Sequence, residues 1–353
     1  MCREANHNSR RYPKKTVRLY FLSIVLILMS FTAWAQTPEK PFELKFTTWS
    51  PPASGVAKVD QKLCDMIMER SQGRIKITTY FGETLLKMTE TFRGVQSGVT
   101  DIAYWTVGSP GSSEKLATLM RMPLTGIKTT EMGTAIAEKL FRSSPELMAE
   151  YKGLEVLGFR MMPLYSAHTI KKPVRVPADM KGMKVIASAG WVEYAKLIDA
   201  APVTLGIGDY YQSLERGVTE AIWAHFPVCY IFKLLDVLKH HTVLNASSIP
   251  DCYLIVKDVW NKLTPDLQKV IKDAVEWRTA EILKFDYGEE ERAIEYAKKR
   301  GNTFYYPTQD EMRLWYEMAK PLHENWIARY EKEGLPARKV HDRFMQLINE
   351  YKR

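Results

Sequence analysis

Aromatic side chains recur in this 353-residue sequence at the points where strands are predicted to end. One ring at the end of a strand is usually part of the core, whereas several rings at the same edge of a sheet are typical of a ligand pocket. The rings at such positions are Trp49, Tyr104, Trp105, Tyr165, Trp191, Tyr210 and Trp223. We expect them to bind a small organic molecule by stacking and apolar contact.

Polar residues accompany these rings. Ser50 and Ser188 lie at the same predicted strand ends. His168 and His225 could supply hydrogen bonds to a ligand or be satisfied structural histidines. All four are candidates for the ligand site.

Signatures of catalysis are absent from the sequence, which has no nucleophile elbow, no zinc-protease helix motif and no phosphate-binding loop. Gly206 and Gly208 follow a predicted strand, but Tyr211 occupies the third glycine position of a dinucleotide fingerprint, so a turn explains them better. Residues 240–241 form a histidine pair in a predicted surface segment, where we expect solvated side chains. We therefore predict no enzyme and no metal or cofactor site.

Strands and helices alternate along the chain. Apolar–polar alternation predicts strands at 43–49 and 74–80, with helices after each and a third strand at 101–105. The same order returns between residues 154 and 224. It indicates an α/β class with two parallel-sheet lobes, whose ligands bind beyond the carboxyl ends of the strands.

A long helix is predicted near the C-terminus. Thr264, Pro265 and Asp266 have the types expected at the N-cap and first turn of a helix. The helical pattern continues to Lys299 with Gly288 as its one weak point. Because some 35 residues is long for a globular helix, we expect it to bend or to run across both lobes. Two further helices follow residue 308.

The N-terminus has the three parts of a secretory signal peptide. Six Lys or Arg residues precede an apolar run at 19–31, and Ala33-Trp34-Ala35 offers a cleavage site after Ala35. The run is shorter than the roughly 20 residues that span a bilayer. The mature chain would carry 44 basic and 40 acidic residues, which is weak support for nucleic-acid binding. We predict a periplasmic protein that does not bind nucleic acid.

Three cysteines remain after the signal peptide, namely Cys64, Cys229 and Cys252. An odd number makes a disulfide scaffold improbable, and no pair has the spacing of zinc ligands. Cys229 and Cys252 could pair in an oxidising compartment, or all three could be buried free thiols.

Residues 42–325 resemble the dicarboxylate-binding type of TRAP (tripartite ATP-independent) transporter binding protein. Several blocks carry the resemblance in order. They are 46–52 (FTTWSPP), 71–77 (SQGRIKI), 92–102 (FRGVQSGVTDI), 122–124 (MPL), 176–185 (VPADMKGMKV), 201–203 (APV), 210–220 (YYQSLERGVTE) and 260–268 (WNKLTPDLQ). Each block alone is loose, but their order over most of the mature chain is specific.

This resemblance implies a two-lobed periplasmic binding protein fold with a long helix crossing both lobes. It also implies a protein that closes over a small ligand and delivers it to membrane subunits, driven by an ion gradient. We expect the signal peptide to span residues 1–35, lobe I to span 40–163 plus 252–291, and lobe II to span 164–251 plus 292–345.

One departure from the family concerns ligand charge. The family's central block usually ends in an arginine that forks onto the ligand carboxylate, and Ile186 replaces it here. A second arginine position of sialic-acid binders falls near Ser166. Either another base such as Arg160 or Lys184 substitutes, or the ligand is neutral or cationic, or it is apolar and aromatic. We favour an aromatic, hydrophobic or cationic ligand, with an organic acid still possible.

Three other classes of protein are alternatives to this interpretation. An ABC-type periplasmic binding protein would share the lobes but lack the ordered blocks and the long crossing helix. An enzyme would need a nucleophile–base pair in the cleft, which no motif supports. A periplasmic ligand sensor could use the same fold without transporting anything.

Overall fold

The computed structural model describes residues 40–246 and 248–351. The predicted signal peptide and its cleavage site lie outside these residues. The strands are β1 Phe42–Thr47, β2 Ile75–Tyr80, β3 Ile102–Thr106, β4 Leu154–Met161, β5 Tyr165–Thr169, β6 Lys184–Ile186, β7 Ala201–Val203, β8 Ala221–Ala224, β9 His240–Ala246, β10 Pro250–Val256 and β11 Thr303–Tyr305. The helices are α1 Gly55–Arg70, α2 Met88–Gln96, α3 Thr130–Ser143, α4 Pro145–Glu150, α5 Gly190–Leu197, α6 Tyr210–Glu215, α7 Phe226–Ile231, α8 Lys257–Lys262, α9 Pro265–Lys299, α10 Gln309–Lys332 and α11 Ala337–Tyr351.

These strands form two sheets, in the orders β2-β1-β3-β10-β4 and β11-β9-β5-β8-β6-β7. We call each sheet with its covering helices the first lobe and the second lobe. The α/β class and the two-sheet architecture are confirmed. Among the described helices, none combines the length and the apolar character needed to cross a bilayer.

The expectation of purely parallel sheets is wrong for one strand in each lobe. In the first lobe β10 runs antiparallel to both β3 and β4. In the second lobe β5 runs antiparallel to both β8 and β9. Each of these strands enters its sheet directly from the other sheet, since β5 follows β4, and β10 follows β9, after only three residues and without a crossover helix.

The chain therefore passes between the sheets at two short connections. These connections touch, since the Met162 N–H donates to the Ile249 carbonyl at 3.0 Å. Nearby, the Val107 N–H at the end of β3 donates to the Pro250 carbonyl at 3.0 Å. The two connections thus form one hydrogen-bonded crossing next to the carboxyl end of β3.

Helix α9 is a third passage between the lobes. Thr264 is its N-cap and Pro265 its first residue, and it runs unbroken for 35 residues. Its first part packs against α1 and β4 of the first lobe, and its last part against α7 of the second. The predicted long helix crossing both lobes is confirmed.

The C-terminal helices also contact both lobes. Helix α10 packs against α5 of the second lobe, and α11 packs against α3 of the first. Thr308 caps α10 by accepting a hydrogen bond from the Glu311 N–H at 3.3 Å, while the Glu311 carboxylate accepts one from the Thr308 N–H at 2.8 Å. The residue boundaries expected for the two lobes stay a prediction.

Candidate ligand-binding site

A small cavity lies at the carboxyl ends of the parallel strands β6 and β8. It has a volume of about 70 Å³. Its lining residues are Tyr165, Ile186, Ala187, Ser188, Ile207, Tyr210, Trp223, Ala224, His225 and Val228. Six of them are predicted site residues, so the strand-end rule brought together Tyr165, Ile186, Ser188, Tyr210, Trp223 and His225. We call this space the ring cavity.

Stacked rings form the wall behind the ring cavity. Trp191 lies parallel to Trp223, with ring centroids 4.9 Å apart, and to Tyr165 at 6.2 Å. Trp191 does not itself line the cavity, but it fixes the two rings that do. Because all three rings support one another, the wall is a preformed aromatic surface.

The lining of the ring cavity carries no Asp, Glu, Lys or Arg. Its one titratable imidazole is neutral, because burial, assisted by the positive charge of Arg160, lowers the pKa of His225 to about 3. The His225 Nδ1 accepts a hydrogen bond from the Val228 N–H at 3.2 Å, which makes His225 the N-cap of α7. The cavity therefore presents a neutral surface.

Two buried polar atoms near the cavity have no hydrogen-bond partner. They are the indole Nε1 of Trp223 and the hydroxyl of Ser166. Trp223 lines the cavity, and Ser166 pairs with Ala224 across β5 and β8. A buried unpaired donor is costly, and a ligand acceptor would satisfy it.

His168 lies behind the cavity rather than in its lining. Its Nε2 contacts the Ala224 carbonyl at 3.1 Å, so this nitrogen must carry the proton. Its Nδ1 then accepts from the His241 Nδ1 at 2.8 Å, and the His241 Nε2 accepts from the Asn302 amide at 3.0 Å. His168 is thus a satisfied structural histidine, one of the two roles left open for it.

The expectation of two solvated histidines at 240–241 is wrong for one of them. His241 is 1% exposed, whereas His240 is partly exposed and bonds to the Thr303 hydroxyl at 2.8 Å. Adjacent side chains of a strand point to opposite faces, so one imidazole of the pair enters the core.

The predicted residues of the first lobe do not line the ring cavity. The Trp49 indole is half-buried, donates to the Thr106 hydroxyl at 3.3 Å and lies 6.1 Å from the Tyr104 ring. Tyr104 is buried and donates to Asp251 at 2.8 Å. Ser50 is buried with an unpartnered hydroxyl. Trp49 and Ser50 follow the carboxyl end of β1, and Tyr104 lies in the middle of β3.

Trp105 is a core residue. It follows Tyr104 in β3 and so points to the opposite face of the sheet. Its ring packs 5.3 Å from Phe92, and its Nε1 donates to Glu114 at 2.9 Å. Trp105 is fully buried, so it has no free edge to offer a ligand.

The two bases considered as substitutes for the missing arginine are both unsuitable. Arg160 is buried and already paired with Asp251 and Asp286, each at 2.8 Å. Lys184 is exposed at the start of β6, at the opposite end of the strand from Ile186. Neither side chain is free to bind a carboxylate in the ring cavity.

Sequence reasoning missed Arg121, which borders a second and larger cavity of about 480 Å³. This residue ends a short 3-10 helix at Leu116–Arg121, directly before the 122–124 block. We call this space the arginine cavity. Its lining is formed by Gly108, Thr118, Arg121, Met122, Ala189, Gly190, Glu193, Leu322, Asn325, Trp326, Arg329 and Tyr330. Adjacency to a family block is the only signal that could have drawn attention to Arg121.

The cysteines are free and buried, so the disulfide considered above is absent among the described residues. Burial raises the pKa of the Cys229 thiol, which keeps it protonated and unreactive. No group of His, Cys, Asp and Glu in the described part of the chain could hold a metal ion.

Residues 47–329 match the family of bacterial extracellular solute-binding proteins, family 7 (DctP). The chain belongs to this family. The resemblance to TRAP binding proteins is therefore confirmed. It is a family of solute-binding proteins outside the cytoplasm.

Relatives within family 7 show what similar chains do. The C4-dicarboxylate-binding periplasmic protein DctP of Rhodobacter capsulatus is 23% identical over 318 residues, which cover 85% of this chain and 91% of that protein. Its similarity spans nearly the full length of both chains.

Solved structures of TRAP solute-binding proteins share the fold. A TRAP solute-binding protein of Rhodoferax ferrireducens in complex with copurified benzoate has a TM-score of 0.75 and 19% identity, covering 88% of this chain and 98% of that one. A marine metagenome TRAP solute-binding protein specific for aromatic acid ligands, crystallised with 3-hydroxybenzoate, has a TM-score of 0.76 and 21% identity, covering 89% and 100%.

Proposed function

We propose that this chain is the solute-binding subunit of a TRAP transporter, that it captures a small aromatic molecule, and that it delivers this ligand unchanged to membrane subunits. The ring of the ligand would occupy the ring cavity against Trp223, Tyr165 and Tyr210. The neutral, ring-lined character of that cavity is the observation that carries the proposal.

The residue at 186 supports an aromatic group over a short dicarboxylate in the ring cavity. Ile186 is 2% exposed and lines the space where the family usually places its arginine. Burying a carboxylate there without a cation would cost several kcal/mol. A cationic ligand would also be buried there without a counter-ion, because the cavity lining has no carboxylate.

Two of the similar solved structures support this choice, whereas two others contain the sugar acids glucuronate and galacturonate. The Rhodoferax ferrireducens and marine metagenome proteins contain benzoate and 3-hydroxybenzoate, which are both aromatic. At about 20% identity they share only the fold with this chain, so they support the class of ligand and not its identity.

The first lobe would supply the opposite wall of the site. Trp49 follows the carboxyl end of β1 in that lobe, and its ring lies 6.1 Å from that of Tyr104 in β3. A cavity of 70 Å³ holds part of an aromatic ligand, so we propose that a hinge motion at the crossing between the lobes brings Trp49 onto it. The lobe boundaries proposed from the sequence place this hinge near residues 163 and 251.

Export would follow removal of residues 1–35. The family is extracytoplasmic, and we propose cleavage after Ala35 and residence in the periplasm. N-terminal sequencing of the mature protein from a periplasmic extract checks this, and the expected first residue is Gln36.

Thermal-shift and calorimetric titration with benzoate, benzyl alcohol, succinate and mannitol test the ligand class. We expect the two aromatic compounds to raise the melting temperature, and succinate and mannitol to leave it unchanged. Stabilisation by succinate alone would overturn the aromatic assignment.

Ile186→Arg and Ile231→Arg form a matched pair for the site. Ile186 lines the ring cavity, whereas Ile231 is 59% exposed in α7 of the same lobe. We expect Ile186→Arg to abolish binding of benzyl alcohol and Ile231→Arg to leave it unchanged. Equal binding by both variants would show that the ring does not sit at residue 186.

A further inference from the structure

We infer that Arg121 binds the carboxylate of an aromatic acid whose ring lies in the ring cavity, and so replaces the arginine that is missing at position 186. This inference rests on the proposed function and specifies the chemical class of the ligand. Arg121 would act from the first lobe, whereas Ile186 belongs to the second.

The contacts of Arg121 distinguish it from the other buried arginines. Its Nη1 donates to the Gly108 carbonyl, its Nε is buried with no hydrogen-bond partner, and it forms no salt bridge within the described residues. Arg160 and Arg278 each lie within 4 Å of two carboxylates. Arg121 is therefore a mostly buried cation without a counter-ion.

The nearest internal carboxylate is already occupied. Glu114 accepts hydrogen bonds from the Trp105 indole at 2.9 Å and from the Gly108 N–H at 2.7 Å. Tyr151 also donates to it. Glu114 thus acts on Arg121 only through its charge and leaves the guanidinium edge free.

The chain around Arg121 makes room for its side chain. A Cβ on Gly108 would lie 2.9 Å from the Arg121 Cδ, and Gly108 has a φ of +67°. A side chain at this position would meet both the arginine stem and a strained backbone. The glycine lets the guanidinium lie against the loop and face the arginine cavity.

Tyr165 connects Arg121 with the ring cavity. The Tyr165 ring lines that cavity and stacks on Trp191. Burial raises the pKa of the Tyr165 phenol to about 12, and the positive charge of Arg121 acts against this rise. The guanidinium thus lies within electrostatic range of the phenol.

The two cavities also meet along the chain. Ser188 lines the ring cavity, and the next two residues, Ala189 and Gly190, line the arginine cavity. Gly190 packs so closely on the segment after Arg121 that a Cβ there would lie 2.6 Å from the Pro123 ring. This contact brings the loop after β6 against Arg121 and places a cation at one end of a neutral ring site.

A carboxylate suits this position for electrostatic reasons. An arginine stays protonated at any physiological pH, so burial leaves it charged rather than neutral. A carboxylate can accept two parallel hydrogen bonds from a guanidinium edge and supply the counter-ion. The geometry thus favours an acid over a neutral aromatic molecule.

The test compares benzoate with benzyl alcohol by calorimetric titration of the wild type, Arg121→Gln and Arg313→Gln. Arg313 lies in α10 with its side chain exposed and lines neither cavity. We expect Arg121→Gln to weaken benzoate binding by about 10- to 100-fold, the range for a hydrogen bond to a charged group, with little change for benzyl alcohol. Arg313→Gln should bind both compounds like the wild type.

Each outcome decides one question. If the wild type binds neither compound, the proposed function fails. If it binds benzyl alcohol as tightly as benzoate, or if Arg121→Gln keeps wild-type affinity for benzoate, the role of Arg121 is overturned while the aromatic site stands. Arg121→Lys keeps the charge without the fork, and serves if Arg121→Gln does not fold. Its benzoate affinity should fall between those of the wild type and a variant without charge.

Discussion

The two lobes treat buried polarity in opposite ways. The first lobe buries a network of full charges behind its cleft edge, whereas the second lobe buries neutral imidazoles and aromatic rings behind its own. The difference suggests separate roles: the charged groups of the first lobe neutralise one another as ion pairs, whereas the neutral edge of the second lobe has the unpaired Trp223 Nε1 available for a ligand.

The network of the first lobe links α9 to the sheet. Arg278 on α9 is fully buried and lies 3.0 Å from Asp60 on α1 and 3.7 Å from Asp251 on β10. Arg160 on β4 pairs with the same Asp251 and also with Asp286, which follows Arg278 in α9. Two carboxylates around each arginine fix the position of α9 on the first sheet.

The largest effect on this comparison of the two lobes is expected from the substitution Arg278→Met. Arg278→Met leaves Asp60 buried without a cation and Asp251 with Arg160 alone, and removing one partner of a buried pair typically costs about 3–5 kcal/mol. We expect a decrease of this size in the free energy of unfolding, measured by urea denaturation at pH 7.5. The control Arg93→Met changes an exposed arginine of α2 in the same lobe and should have a much smaller effect. Equal stability of the two variants would mean that the network does not hold α9.

As pH falls, buried groups in the two lobes should change the stability of the protein in opposite directions. Burial lowers the pKa of His168 from its ordinary 6.5 to about 4. Between these values the unfolded chain binds a proton that the folded chain does not, so stability contributed by His168 is lost as pH falls from 6.5 towards 4. Burial raises the pKa of Asp286 in the first lobe to about 6, despite Arg160. Stability linked to Asp286 therefore increases as pH falls through 6.

Urea denaturation at pH 7.5, 6, 5 and 4.5 measures the net result. For His168 alone the full loss is on the order of 3 kcal/mol, at about 1.4 kcal/mol for each unit of pKa shift. His168→Gln should flatten the decline between pH 6.5 and 4.5. His323 on α10 also has a pKa that burial lowers to about 4, so His323→Gln should flatten the same decline independently. A decline that His168→Gln leaves unchanged would show that His168 is not a source of the acid sensitivity.

The smallest expected effect is a difference between the two lobes in the rate of thiol labelling. Cys229 lies in α7 of the second lobe, and Cys252 in β10 of the first, both fully buried. If acid loosens the second lobe first, 4,4′-dithiodipyridine at pH 5 should label Cys229 faster than Cys252, as measured by peptide mass spectrometry. Labelling of both thiols at one rate would show that the lobes open together.

The sequence predicted the parts of the site that follow from regular structure. Trp223 and His225 were found because parallel strands β6 and β8 end at one edge, and α9 was found from its cap at Thr264 and its long helical pattern. Tyr104 and Trp105 could not be separated, because β3 is buried on both faces and shows no alternation.

Long-range pairing explains the remaining failures. The burial of Arg160 depends on Asp286, which is 126 residues away in the sequence. The position of Arg121 depends on a close approach between Gly190 and Pro123 that no local pattern encodes. The antiparallel direction of β5 accompanies a change of sheet at the three-residue connection that precedes it, and the sequence does not show this change.

Any change in the angle between the two sheets must bend helix α9. A helix of 35 residues is roughly 50 Å long, at 1.5 Å per residue, and it is anchored to one sheet before Gly288 and to the other after it. Gly288 has no neighbouring atoms within 4 Å of the place that a Cβ would occupy, so the helix should bend most easily at this residue. The bending stiffness around residue 288 therefore sets part of the energy difference between wide and narrow clefts, and the affinity for any solute includes the work of curving this one helix.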